Sequence, residues 1–299
     1  MLISREELEA ESLYIIREAA EQFSKPVILF SGGKDSVVLL HLARKALGLP
    51  SGVLPMPVLH IDTGHNFPEL LEFRDRYLPA SGARLIVRTV EDSIRAGRVP
   101  APPPENPSRN RLQSVTLLDA LAELGADAAL GGGRRDEEKA RAKERIFSHR
   151  RPDGAWDPHL QRPELWQDYV ASPEAGGHYR VFPLSNWTEL DVWRYIEADG
   201  IEVPPLYFTH PRRVVDRDGV LLPVSEFLPL GPDEKPRELA VRFRTVGDLL
   251  CSGADTGHAT TVADIIADIM TSRRSERSGR ADDSGSESAM EDRKREGYF

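Results

Sequence analysis

Apolar and polar positions along this chain follow two alternating periods. Leu8, Ser12, Ile15, Ala19 and Phe23, small or apolar, recur at helical spacing and predict an N-terminal helix with one buried face. Ser4 and Glu7 make a capping box that starts it. Short apolar runs at 26–30, 57–61 and 84–88 read as strands. Between them lie helical segments at 37–47, stopped by Gly48 and Pro50, and at 68–77. Five prolines within 97–110 mark an exposed loop. Residues 111–124 then form a helix, and 126–130 a strand running into Gly131-Gly132-Gly133. Residues 180–184 are the last strand, and Thr188 caps a helix that runs to about Ala198.

Strands alternating with helices predict an α/β fold, a parallel sheet covered on both faces. Ligands of such sheets bind at the carboxyl ends of the strands. The turns at 31–36, 62–64 and 131–133 all follow strands, so they converge on one crevice. Beyond about residue 205 the pattern weakens, with prolines at 204, 205, 211, 223, 229, 232 and 236. This makes the C-terminal region mixed and irregular, and divides the chain into a domain at 1–205 and an extension at 206–299. Residues 261–270 read as a short helix. Residues 271–299 are rich in charge, Ser and Gly, a disordered composition.

The turn after the first strand is Ser31-Gly32-Gly33-Lys34-Asp35-Ser36. Its two glycines let backbone approach an oxyanion that a Cβ would block. The unpaired N–H groups of the next helix, with the positive end of its dipole, face that anion. Lys34 adds a point charge, and Ser31 and Ser36 add hydroxyl donors. A Walker A loop would need glycine where Ile28 stands and a hydroxyl residue where Asp35 stands. The hexapeptide resembles instead the pyrophosphate loop of the N-type ATP pyrophosphatases, which direct attack at the α-phosphate of ATP.

Length, at 299 residues, allows one large domain or two smaller ones. No apolar run reaches the length of a membrane span, and residues 1–7 lack the pattern of a signal peptide, which predicts a cytosolic protein without a membrane partner. The formal net charge of −9 opposes a general nucleic-acid binder. Asp62, Thr63 and Gly64 put polar groups at a strand end, where Asp62 could accept from a ribose hydroxyl or help hold Mg²⁺, or else cap the next helix. Arg134 and Arg135 follow Gly133 beside the predicted phosphate site, and guanidinium forks suit phosphate or sulfate. The rest of that basic run, including Arg141, Lys143 and Arg145, is more mixed between anion contact and a solvated helix. His60 and His65 are candidate crevice residues, but no pair of histidines has metal-ligand spacing and no dedicated carboxylate cage for a metal is visible.

Longer runs carry a more specific resemblance. They are the loop, His60-Ile61-Asp62-Thr63-Gly64, the stretch 132–139, Gln161-Arg162-Pro163-Glu164-Leu165-Trp166, the stretch 181–189, and Arg293-Lys294-Arg295-Glu296-Gly297-Tyr298-Phe299. Through them the chain is similar to the small-subunit family of bacterial sulfate adenylyltransferases, within the wider PAPS reductase family. Some relatives carry Ile where this chain has Gly32. The resemblance implies an N-type ATP pyrophosphatase (adenine nucleotide α-hydrolase-like) fold. It also implies that ATP and sulfate give adenosine 5′-phosphosulfate and pyrophosphate, with Mg²⁺ entering on ATP. A large GTPase subunit would be the partner, with GTP bound there. Residues 31–36, with Gly133, would hold the nucleotide's phosphates, Arg134 and Arg135 the sulfate or the charge at the α-phosphate, and residues 273–277 would close on the nucleotide or touch the partner.

Cysteine usage separates this reading from its nearest rival. PAPS and APS reductases use a C-terminal cysteine nucleophile, whereas Cys251 is the one cysteine here and stands outside such a motif. A tRNA-modifying pyrophosphatase also fits the loop, but the acidic balance opposes it. A nucleotide-binding regulator of a GTPase is the non-enzyme alternative, and the intact loop argues against it.

Overall fold

The computed structural model of the chain describes residues 4–49, 52–137, 144–156, 164, 177–272 and 276. Residues 138–143 of the basic run, 161–163 and 165–166 of the Gln161 motif, and 273–275 and 277–299 of the tail lie outside them. The first half alternates as the pattern predicts: α1 (Arg5–Gln22), β1 (Pro26–Leu29), α2 (Lys34–Leu47), β2 (Val58–Asp62), α3 (Pro68–Ala80) and β3 (Leu85–Thr89), with a short α4 (Val90–Arg95) that the pattern did not signal. There follow α5 (Gln113–Leu124), β4 (Ala128–Leu130), β5 (Phe147–Arg150), β6 (His178–Val181) and α6 (Glu189–Asp199). The capping box of α1 is formed: Glu7 N–H donates to Ser4 Oγ at 3.2 Å, and Ser4 N–H to the Glu7 carboxylate at 2.8 Å.

Six strands make the main sheet, in the order β3-β2-β1-β4-β6-β5. All neighbours are parallel except the β5–β6 pair. β1 lies between β2 and β4, so connections leave it in opposite directions and open a crevice at its carboxyl end. One face of the sheet packs Ile28, Val58, Ala128 and Leu130 against α1, α2 and α6. The other packs Val27, Leu59 and Ala129 against Leu117, Ala120 and Leu121 of α5. Trp187 and Trp193 are fully buried, as core anchors. Trp187 Nε1 donates to Ser12 Oγ at 2.9 Å, which places a polar residue on the buried face of α1.

Two features depart from the sequence expectation. The last strand is β6, and its pairing ends at Val181, because the chain turns back through a Ser185 N–H to Phe182 O bond of 3.1 Å. β5, which the pattern did not signal, is its antiparallel edge partner. The proline-punctuated C-terminal region holds a second sheet, order β10-β9-β7-β8, from β7 (His210–Arg217), β8 (Val220–Pro223), β9 (Arg237–Arg242) and β10 (Asp255–Thr256). Its apolar face packs Val214, Val241 and Phe243 on Phe67 and Leu70 at the start of α3. Pro211 near the start of β7 and Pro223 at the end of β8 interrupt little of the ladder. α7 (Val262–Thr271) caps the fold, with Ile265 buried in the main core. Among the described residues, no helix is long and apolar enough to cross a membrane.

Candidate nucleotide-binding site

A cavity of about 280 Å³ opens at the carboxyl ends of β1, β2 and β4. Ser31, Gly33, Lys34, Asp35, Ser36, Thr63 and Gly133 line it, together with His60 and Gly131-Gly132. All three glycine-bearing turns thus meet at one place. The loop holds itself through its own side chains. Ser36 Oγ donates to Gly33 O at 2.8 Å, Ser31 Oγ to Ser36 Oγ at 3.3 Å, and Gly33 N–H to Ser31 Oγ at 3.3 Å. Gly32 sits at φ +81°, and a Cβ there would lie 2.5 Å from Leu70 Cδ1. Gly132 is required differently: its Cβ would press 2.9 Å from the carbonyl carbon of Asp35, on the first turn of α2.

Lys34 is buried and pairs with Asp35 at 3.3 Å and with Glu276. Burial alone would lower its pKa, but the two carboxylates overcome that and hold it well above the usual lysine value. Arg134 is also buried, donating through Nε to Asp35 at 2.7 Å and through Nη2 to Glu276. Desolvation opposes the charge of Glu276, yet Lys34 and then Arg134 keep it below the usual carboxylate range. The Glu276 carboxylate therefore lies on both cations of the loop.

Several sequence candidates have other positions. Arg134 stands behind Asp35 and Glu276 and is not part of the cavity wall. Arg135 turns away, donating to Asn186 Oδ1 at 2.6 Å, with Glu164 at 3.8 Å, because the short turn at Arg135–Glu137 reverses its direction. Asp62 does not cap α3, whose N-cap is Phe67; it closes the turn after β2, its Oδ1 accepting from Gly64 N–H at 2.7 Å and from Asn66 Nδ2 at 2.9 Å. Neither Asp62 nor Gly64 lines the cavity. Gly64, at φ +77°, leaves room for Arg109, whose Nη1 donates to Thr63 O at 3.1 Å. His60 donates through Nδ1 to Phe30 O at 2.8 Å, and burial holds it neutral, with its pKa lowered to about 4. His65 is outside the cavity, stacked on Phe227 with ring centroids 4.3 Å apart.

Two residues of the site, Tyr207 and Arg180, had no sequence signal, and a third, Glu276, lies in the 273–277 segment that the family resemblance placed at the nucleotide or the partner. Tyr207 accepts the Lys34 N–H at 2.7 Å, so a hydroxyl sits at the N-terminus of α2 where an anion would be favoured. Glu276 reaches the loop from 242 residues along the chain. Arg180, on β6, puts a second cation in the cavity wall.

A family model described as phosphoadenosine phosphosulfate reductase domain matches residues 25–254. The chain belongs to this family. Sulfate adenylyltransferase subunit 2 of Mycobacterium sp. (strain KMS) is 56% identical over 98% of this chain and 93% of that protein. Sulfate adenylyltransferase subunit 2 of Mycobacterium tuberculosis (strain ATCC 25618 / H37Rv) is 55% identical over the same shares, 98% and 93%. Among solved structures, Candida glabrata FMN adenylyltransferase aligns with a TM-score of 0.49 at 16% identity, covering 92% of this chain and 87% of that one. The family model spans β1 to β9, and so includes the loop, Tyr207, Arg180 and all of the cavity wall except Glu276.

Proposed function

We propose that this chain is the catalytic small subunit of a sulfate adenylyltransferase, forming adenosine 5′-phosphosulfate and pyrophosphate from ATP and sulfate. The observation that carries the reading is the 56% identity, over 98% of the chain, to sulfate adenylyltransferase subunit 2. The loop chemistry supports it independently, since a glycine turn at a helix N-terminus with a buried lysine suits a polyphosphate. In the reaction a sulfate oxygen attacks the α-phosphorus, the bond from that phosphorus to the bridging oxygen breaks, and pyrophosphate leaves with the electron pair. Sulfate is already ionised, so no general base is needed. Positioning and charge neutralisation then supply the catalysis. Lys34 and the first-turn amides of α2 take the leaving pyrophosphate, with Tyr207 able to donate its own proton to the same anion.

Mg²⁺ suits this wall, because Asp35 and Glu137 offer hard oxygen donors beside the loop, and the ion would arrive on ATP and screen its phosphates. A large subunit that hydrolyses GTP is part of the proposal: this chain has a single phosphate loop, so GTP belongs on the partner. The reductase alternative is disfavoured by Cys251, the sole cysteine, which is 1% exposed and packed in the turn after Asp248. The test is co-purification with the candidate GTPase and a pyrophosphate-release assay. Release that requires sulfate and rises with GTP is expected; release indifferent to sulfate would reject the assignment.

A further inference from the structure

Sulfate is a dianion that must displace a polyanion, so its subsite needs a cation that the leaving pyrophosphate does not already use. Two basic side chains line the cavity among the described residues, Lys34 and Arg180. Lys34 belongs to the loop. Arg180 comes from the other side of the sheet. It is aligned with Ala129 of β4, and Ala129 faces α5 rather than α2. Ala129 is small and leaves space above itself, and Gln113 and Leu117 of α5 complete that wall. Cross-strand from Arg180 is Ser148, and two residues along β5, on the same face, is Arg150, paired with Glu144. The buried Glu144 carboxylate pairs with Arg150 and acts electrostatically on Arg180 as well. Burial, and then Arg150, push Arg180 down to about 9, with Glu144 offsetting only part. An oxyanion in the cavity would relieve both effects.

We propose that Arg180 binds the attacking sulfate and holds it on the side of the α-phosphorus opposite the loop. In-line transfer requires the nucleophile and leaving group to stand on opposite sides of the phosphorus. Lys34 and Arg180, entering from opposite faces of the sheet, supply cations on those two sides. A guanidinium fork matches two oxygens of a tetrahedral oxyanion, which an ammonium does not. The assignment replaces the sulfate role expected of Arg134 and Arg135, neither of which lines the cavity. It rests on the adenylyl-transfer reading above.

The test uses the full chain with its GTPase partner and two variants, Arg180→Met and Arg180→Lys. Arg180→Met should raise the KM for sulfate by about 10- to 100-fold, the worth of a charge-assisted hydrogen bond pair, and move the KM for ATP less than about twofold. Arg180→Lys should recover part of the sulfate affinity. Unchanged sulfate dependence in both variants, or an equal rise in both KM values, overturns the inference while leaving adenylyl transfer standing. A wild-type complex that releases no pyrophosphate in response to sulfate removes both readings. A second measurement needs no variant: crystals of the wild-type chain with α,β-methylene-ATP and selenate should show the selenium anomalous peak at the Arg180 guanidinium. A selenate bound elsewhere in the cavity overturns the assignment.

Discussion

Glu276→Gln is the substitution that most directly probes how the loop exists before nucleotide arrives. The carboxylate accepts from Lys34 Nζ and Arg134 Nη2, and all three groups are buried. Removing one member of a buried ion network costs about 3–5 kcal/mol, because it leaves charge uncompensated. Asp35 stays on both cations, at 3.3 Å from Lys34 and 2.7 Å from Arg134, so the lower end, about 3 kcal/mol, applies. In the nucleotide complex, phosphate oxygens would neutralise Lys34 themselves. For Lys34 the loss then falls on the empty protein and not on the complex, whereas Arg134, outside the cavity wall, lacks its Glu276 partner in both. By the thermodynamic cycle, Glu276→Gln should lose about 3 kcal/mol in urea unfolding and, with the Lys34 share about half of that, bind ATP about 10-fold more tightly. Calorimetric titration with α,β-methylene-ATP reads the second quantity and denaturation the first. Weaker analogue binding in the variant would refute the reasoning, since it would mean that Glu276 stays on the cations and organises them for the nucleotide.

Three other outcomes follow from the geometry. Lys34→Ala should cut sulfate-dependent pyrophosphate release by about 100-fold or more while circular dichroism stays native, and near-normal turnover would remove the loop assignment. Gly132→Ala forces a Cβ 2.9 Å from the Asp35 carbonyl carbon, so the start of α2 must shift; a loss of about 1–3 kcal/mol in thermal unfolding with weaker ATP binding is expected, and wild-type values in both would contradict it. Burial lowers His60 to about 4, whereas an unfolded histidine titrates near 6.5. Between these values the unfolded chain binds a proton that the native chain does not. Stability is therefore lost as pH falls from about 6.5 to about 4, by about 3 kcal/mol for His60. Urea unfolding across that window should show the slope, to which His65 and His178, also lowered by burial, contribute their own shares; His60→Gln should reduce it by the His60 share, and an undiminished slope would assign it to the other two.

What could be read from the sequence was local, and what could not was brought together by folding. The capping box at Ser4 and Glu7, the strand-loop-helix at 26–47 and the glycine turn at 131–133 are each specified by a few adjacent residues, and each formed. Arg135 misled because position beside a glycine turn does not give side-chain direction; the turn that follows aims it at Asn186. Asp62 misled for the opposite reason, its short side chain being satisfied by the N–H of Gly64 before any ligand could claim it. Tyr207, Arg180 and Glu276 lie 173, 146 and 242 residues from Lys34 along the chain. No local spacing announces them. The second sheet was hidden by its prolines, which read as loop but sit near strand ends.

The central claim is that this chain transfers the adenylyl group of ATP to sulfate. Its most direct test supplies radiolabelled sulfate, ATP, Mg²⁺ and GTP to the purified chain with its GTPase partner, and separates the nucleotide products. The account predicts label in adenosine 5′-phosphosulfate, formed in step with pyrophosphate and abolished by Lys34→Ala. Pyrophosphate release with no labelled adenylyl sulfate would contradict it.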